Sequence, residues 1–399
     1  MTGVPAVPPL RVLVISEMSP PHAIGGGETR YALLTRELVR LGHTVSWLSM
    51  RQKQSPDSET LQGVHHLHAG PRIPHPPLRP LWAKLRFMAS ICGHLLRHRY
   101  DVVDCQSYAP LPAAWLACKL RRMPMVATIH DTSAAGAAKD QWLSGFDRRL
   151  AGLVERRLYR IGYDQVLTGS EAVKTDFVQR FGLRAERVAA VPNGIDVQRI
   201  AATPAHARPA DLLFAGRLIP HKHPADVLKL LVHLNAQRQR RGQPALRAKF
   251  VGGGPLADEL QRLAVEYGVA EYCLFCGEVE RHDEVIAHIR SARVLVLPST
   301  REGFGLVLVE AMAAGTTVAA YDIPAVRDTL GPDLAGCLAP PGDIAALARV
   351  VASLLDDPAH RAQRLATGRE RAAEHFGVQA FAGRVAGVYA QTVARYRSR

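Results

Sequence analysis

Residues 298–315 read PSTREGFGLVLVEAMAAG. The apolar run 294–297 precedes this stretch, Pro298 ends the run, and a Gly-Phe-Gly turn then opens an apolar helix that carries Glu310. Strand, glycine turn and helix in that order make one repeat of a parallel α/β sheet. A helix start fed by a glycine turn leaves backbone N–H groups without acceptors beside the positive end of the helix dipole, where phosphate oxygens bind. Glu302 stands just before the turn and Glu310 about one turn into the helix. Carboxylates accept hydrogen bonds in pairs and so suit the vicinal hydroxyls of a sugar ring and of a ribose. The bland alternative is a pair of solvated helix-end glutamates.

The same order of signals recurs in both directions. Upstream, apolar runs at 10–16, 44–49, 101–105 and 125–130 alternate with helical patterns at 29–41, 81–97 and 113–120. A second set of runs lies at 211–216, 248–252, 272–276, 294–298 and 317–321. Between the sets, AATPAHARPA at 201–210 is rich in Ala and Pro with no apolar period, which predicts a linker. A chain of 399 residues is long enough for two domains with separate cores. The reading places them at 1–200 and 201–379, with the cleft between them as the default ligand site. GPRIPHPPLRP, residues 70–80, holds five prolines and is expected to be an irregular surface excursion. The helix after it is expected to pack Leu81, Leu85, Met88, Cys92 and Leu95 as one stripe on the sheet.

Composition narrows the function classes. No apolar run reaches the roughly 20 residues that a membrane span requires, and MTGVPAVPPL is not a secretory leader, so a cytoplasmic protein is expected. Cys273 and Cys276 form a CxxC inside an apolar strand, with no second pair or nearby histidines, and are expected to be core residues rather than zinc ligands. The net charge of +14 is uneven: residues 1–200 hold 26 Lys+Arg against 16 Asp+Glu, a net of +10. Simple solvation explains this as well as a phosphorylated acceptor or a peripheral contact with an anionic membrane at the inner face. Nothing points to nucleic acid.

Three further constellations carry chemistry. The run LLFAG leads into Gly216 and Arg217, with Lys222 five residues beyond Arg217. Cations there would lower the barrier to departure of a diphosphate, which gains negative charge as its bond breaks. Gly25, Gly26 and Gly27 lie between the first strand and its helix, where glycine allows close approach of backbone to an anion. An ordinary strand-to-helix turn is the alternative. His130 ends the strand MVATIH, a position facing the ligand crevice of an open parallel sheet; a structural histidine is the alternative. There is no Asp-x-Asp for a divalent cation on the diphosphate.

Taken together, these residues resemble glycosyltransferase family 4, whose paired-glutamate motif matches Glu302 and Glu310. The resemblance is dense from about 187 to 355 and carried by scattered motifs before that. It implies the GT-B fold, two Rossmann-like doubly wound parallel-sheet domains facing across a cleft, with the last helix, about 380–399, packing back on the first domain. It implies a retaining hexosyltransferase acting on a nucleotide diphosphate sugar, UDP by family frequency, with a glycan, lipid-linked or small-molecule acceptor and neither metal nor other cofactor. By resemblance Glu302 holds the sugar hydroxyls and Glu310 the ribose diol. The backbone near Phe304, Gly305, Leu306 and Val307 meets sugar and phosphate, and Arg217 and Lys222, after Gly216, grip the diphosphate. Gly26 and Gly27 lie near the donor phosphate, His130 contacts the transferring sugar, Gly253 of FVGGGP belongs to a donor loop, and backbone near Val279 reads the base. VPNGID, 191–196, matches the entry to the interdomain stretch, Asn193 and Gly194 shaping its turn. YDIPAVRD, 321–328, departs from the family where many members have a second glycine pair. Two rivals stay open: an NAD(P)-dependent oxidoreductase, because Gly252, Gly254 and Ala257 fit GxGxxA, and a non-catalytic sugar-nucleotide-binding protein of the same fold.

Overall fold

The computed structural model describes residues 8–19, 26–52, 55–73, 81–106, 109–131, 156–207, 209–279 and 281–399. They fall into two compact units, one formed by the described residues up to 194 together with 378–399, the other by 195–377.

In the first unit the strands are β1 (Arg11–Ile15), β2 (Thr44–Gln52), β3 (Ser58–Leu61), β4 (Val64–Ile73), β5 (Val102–Gln106), β6 (Met125–Thr128), β7 (Gln165–Thr168) and β8 (Val188–Ala190). Their spatial order is β3-β4-β2-β1-β5-β6-β7-β8. Among the described residues only the edge pair β3–β4 is antiparallel. The order reverses at β1, and helices cover both faces: α1 (Gly26–Arg40), α2 (Leu81–Arg97), α3 (Pro110–Arg121) and α4 (Glu171–Phe181). Central strands such as β6, buried at every residue, read as continuous apolar runs because both faces are covered.

The second unit contains α5 (Val197–Ala202), β9 (Ala210–Ala215), α6 (Pro224–Arg240), β10 (Ala248–Val251), α7 (Ala257–Glu266), β11 (Cys273–Gly277), α8 (His282–Arg290), β12 (Ala292–Leu297) and α9 (Leu306–Ala314). It continues with β13 (Thr317–Tyr321), α10 (Pro324–Leu330), β14 (Leu338–Ala339), α11 (Ile344–Asp356) and α12 (Pro358–Phe376). The parallel sheet runs β11-β10-β9-β12-β13-β14, the doubly wound order of a nucleotide-binding sheet with its switch point between β9 and β12. The last helix, α13 (Val378–Arg397), buries Phe381, Val385, Tyr389 and Val393 in the first unit's core with Tyr31 and Trp47.

Four expectations need correction. The chain changes unit at 194/195, and residues 201–210 are no linker: Ala201 and Ala202 close α5, Thr203 is buried, and Ala210 begins β9. At Gly194 a Cβ would stand 2.5 Å from Phe381 Cβ, so only glycine lets α13 lie this close. Residues 70–73 are strand, since β4 is long enough to carry Pro71 at its far end beyond the regular ladder. The buried stripe of α2 is Ala83, Phe87, Ile91 and Leu95, leaving Leu81 and Leu85 exposed. The reason is helical phase: both stripes have a helical period, and only packing against β4 and α3 selects one.

Candidate active site

In the second unit the loops after β9 and β12 meet. Pro220–Lys222 form a 3₁₀ turn, and His223 follows with φ +46°, a left-handed conformation rare outside glycine, before α6 begins. The Thr300 N–H donates to the His221 carbonyl at 2.9 Å, and His223 Nε2 lies 3.1 Å from Thr300 Oγ1. This stapling brings Lys222 Nζ to 2.6 Å from Glu302 Oε1, with both side chains largely buried. Arg217 is exposed beside them in sequence and has no ion pair among the described residues.

Gly305, φ +85°, caps α9 and turns the chain from the β12 exit into the helix. The first bond of that turn runs from Leu308 N–H to the Gly305 carbonyl, so the N–H groups of Leu306 and Val307 precede the ladder and are free to bind an anion. The Phe304 ring is not part of such a site. It is buried against Phe376 in an edge-to-face pair, and its carbonyl accepts from Thr329 Oγ1. Glu310 is buried, and His282 Nε2, on the first residue of α8, stands 3.2 Å from its Oε1. Burial disfavours charging His282, but attraction to Glu310 and their hydrogen bond outweigh it and raise its pKa above 6.5.

The glycines of FVGGGP serve loop packing. A Cβ on Gly252 (φ +133°) would stand 2.0 Å from the Gly216 carbonyl oxygen, and one on Gly254 would stand 2.5 Å from that of Leu218. These two glycines therefore let the loop after β10 lie against the Gly216–Leu218 backbone. They follow the second strand of the unit, whereas a dinucleotide fingerprint follows the first. Gly253 sits against Glu278, and Val279 packs partly buried on the core just after Gly277 turns the chain with φ +73°. Cys273 and Cys276 lie in β11, and burial pushes the Cys273 thiol up to about 11.

In the first unit α1 begins at Gly26; Gly25 lies outside the described residues. A Cβ on Gly27 would strike Gln106 Nε2 at 2.3 Å and approach His130 Nε2 at 3.7 Å. His130 Nε2 and Gln106 Oε1 are both sequestered without a hydrogen-bond partner. Burial, aided by the positive Arg30, lowers the His130 pKa to about 3, so the ring is neutral at ordinary pH. Tyr31 packs its ring edge-on at 6.4 Å from His130. Behind it lies a polar network absent from the sequence reading. Buried Asp104 accepts from Tyr31 at 3.0 Å, from Thr128 at 2.6 Å, and from Tyr389 of α13. Buried Arg30 donates through Nε to Asn193 Oδ1 at 2.7 Å and lies between the rings of Tyr31 and Phe381. Asn193, expected to shape a turn, holds this arginine.

Two of these omissions left a trace in the sequence: Asp104 interrupts the apolar run DVVDC, and Arg30 sits next to Tyr31 on the buried stripe of α1. His282 left none, because its partner is on another helix.

Two doubly wound parallel-sheet units, with glycine-capped loops at the carboxyl ends of their strands, define a GT-B protein. Sucrose-phosphate synthase from Thermosynechococcus elongatus superimposes with a TM-score of 0.78 at 22% identity, covering 96% of this chain and 99% of that one. HepE from Anabaena, solved with UDP and glucose, gives 0.72 at 19% identity, covering 96% of this chain and all of that one. In sequence, "Glycosyltransferase Family 4" matches residues 24–199 and "Glycosyl transferases group 1" residues 198–371. A glycogen synthase of Mycobacterium tuberculosis is 31% identical over 95% of this chain and 94% of its own length. The chain belongs to glycosyltransferase family 4 and is a glycosyltransferase.

Proposed function

We propose that the enzyme is a retaining hexosyltransferase that uses a nucleotide diphosphate sugar, UDP-linked first, and delivers the sugar to a hydroxyl of a glycan, lipid-linked or small-molecule acceptor. One observation carries the reading: Lys222 Nζ is 2.6 Å from Glu302 Oε1, close in sequence to the free amides that open α9. A cation, a carboxylate and a helix start together suit a sugar joined to a diphosphate. HepE, solved with UDP and glucose, shares the fold.

In this reading the diphosphate lies on the Leu306 and Val307 amides, and Arg217 and Lys222 neutralise it. Glu302 leaves Lys222 in part to accept from sugar hydroxyls, and Glu310, oriented by His282, accepts from the ribose diol. The bond from the anomeric carbon to the leaving oxygen breaks, and the acceptor oxygen bonds to that carbon on the same face. The acceptor proton passes to the leaving phosphate oxygen, so no enzyme nucleophile is required. The two cations carry the charge that a divalent metal would otherwise balance. His130, neutral, orients the sugar.

A thermal scan with UDP and with NAD, followed by mass analysis of products from a panel of nucleotide sugars, tests the assignment. UDP should raise the melting midpoint and a UDP-sugar should yield a transferred product. A rise with NAD alone would overturn it, and donor binding without transfer or hydrolysis would leave a binding protein of the same fold.

A further inference from the structure

The geometry points to a second anion subsite, in the first unit, for a phosphate monoester; it rests on the transferase reading only in that we assign this group to the acceptor. An open pocket of about 470 Å³ lies at the carboxyl ends of β2 and β4, lined by Arg51, His68, Gly70, Arg86 and Ser90 among others. Ligands of open parallel sheets bind at the carboxyl ends of strands.

The pocket exists because the β2–β4 ladder breaks there. Met50 pairs with Ala69 but Gln52 pairs with Ile73, so β4 carries extra residues where β2 has only Arg51. Such irregularities splay strands and re-aim side chains. Gly70, φ +80°, completes the arrangement: its ideal Cβ would lie 3.3 Å from Phe87 Cα, so glycine allows α2 to press onto the strand end and bring Arg86 to the pocket.

The lining has the chemistry of an anion site. No carboxylate is among the pocket's described lining residues. Arg51 Nε is sequestered with no hydrogen-bond partner, while its Nη2 reaches the exposed Asp57 at 3.0 Å and donates to the His68 carbonyl at 3.4 Å. Arg86 is exposed and stacks over Trp82 at 5.7 Å; its carbonyl accepts from Ser90 Oγ at 2.9 Å, and its guanidinium has neither hydrogen bond nor ion pair among the described residues. Two guanidinium groups around one opening match the oxygens of a phosphate by paired N–H donation. None of the residues assigned to the donor belongs to this pocket.

The phosphate could belong to a soluble sugar phosphate or to a lipid headgroup. The second source is included because Leu81, Trp82 and Leu85, on the same helix as Arg86, are 72%, 52% and 56% exposed. Inorganic phosphate is titrated calorimetrically into the full-length protein saturated with UDP, and into Arg51→Ala, Arg86→Ala and Lys222→Ala. Saturable binding that weakens about tenfold in each of the first two variants and persists in Lys222→Ala is expected, since each loses charged hydrogen bonds. Competition by glucose 6-phosphate then identifies a soluble source. Arg86-dependent sedimentation with phosphatidate-containing vesicles, and no such competition, identifies a lipid source. No saturable binding of any of the three probes, or binding indifferent to both arginines, overturns the subsite. Absence of a UDP melting shift in the wild-type protein would instead count against the transferase reading.

Discussion

His282 Nε2 lies 3.2 Å from Glu310 Oε1, which ties the first residue of α8 to the middle of α9 at the carboxylate assigned to the ribose. Because the folded pKa of His282 is raised above 6.5, the pair's stabilisation is complete below about pH 6.5 and is lost as pH rises through the higher folded value. Denaturation of the wild type and of His282→Ala from pH 5.5 to 8.5 should show a stability difference that shrinks as pH rises. A difference that is flat with pH would show that the ring is uncharged.

Lys222 and Glu302 are in contact, so their roles should be coupled. Lys222→Ala should lower kcat by about 10²- to 10³-fold, the scale of losing one charge-stabilising donor. Steady-state kinetics of Lys222→Ala, Glu302→Gln and the double variant provide the check. The double variant should lose far less than the product of the single losses.

His130 does not titrate near neutrality, because burial holds its pKa at about 3. A pH–rate profile should therefore show no limb near 6.5 that disappears in His130→Gln, although turnover in that variant falls. Its stability effect has the opposite sign to that of His282. Neutral His130 stabilises the fold above about pH 6.5, and this contribution declines as pH falls toward the folded value. His130→Gln should lose less stability than the wild type between pH 7 and 5.

Gly252→Ala should destabilise the second unit by about 2–4 kcal/mol, the range of severe backbone strain and clash, because its Cβ would meet the Gly216 carbonyl at 2.0 Å. Gly268, φ +67° with open space around it, is the control. Its alanine variant should cost about 1 kcal/mol, from the left-handed backbone alone. Urea denaturation of both separates contact from conformation.

Asp104→Ala should cost about 3–5 kcal/mol, since it leaves the hydroxyls of Tyr31, Thr128 and Tyr389 without their buried acceptor and removes the carboxylate attracted to buried Arg30. Tyr389→Phe, which deletes one donor to Asp104, should cost about 1–2 kcal/mol. If both variants melt like the wild type, the network does not anchor α13.

Local order explains which features could be read from the chain. The window at 298–315 specifies a strand, a left-handed glycine and a helix start within a few residues, and each follows from backbone chemistry alone. The short strands β7, β8 and β14 do not stand out in the sequence because two to four residues carry too little period. The β3–β4 hairpin was hidden by its histidines and Pro71, and the buried face of α2 by two apolar stripes of similar strength.

Repeat order and glycine positions were settled by residue identity, since periodicity and backbone freedom act over neighbouring residues. Folding alone joined His282 to Glu310, Arg30 to Asn193, and Tyr389 to Asp104. Those contacts link residues on different elements, and their strength comes from burial, a property that no stretch of chain possesses until the sheets and helices have packed.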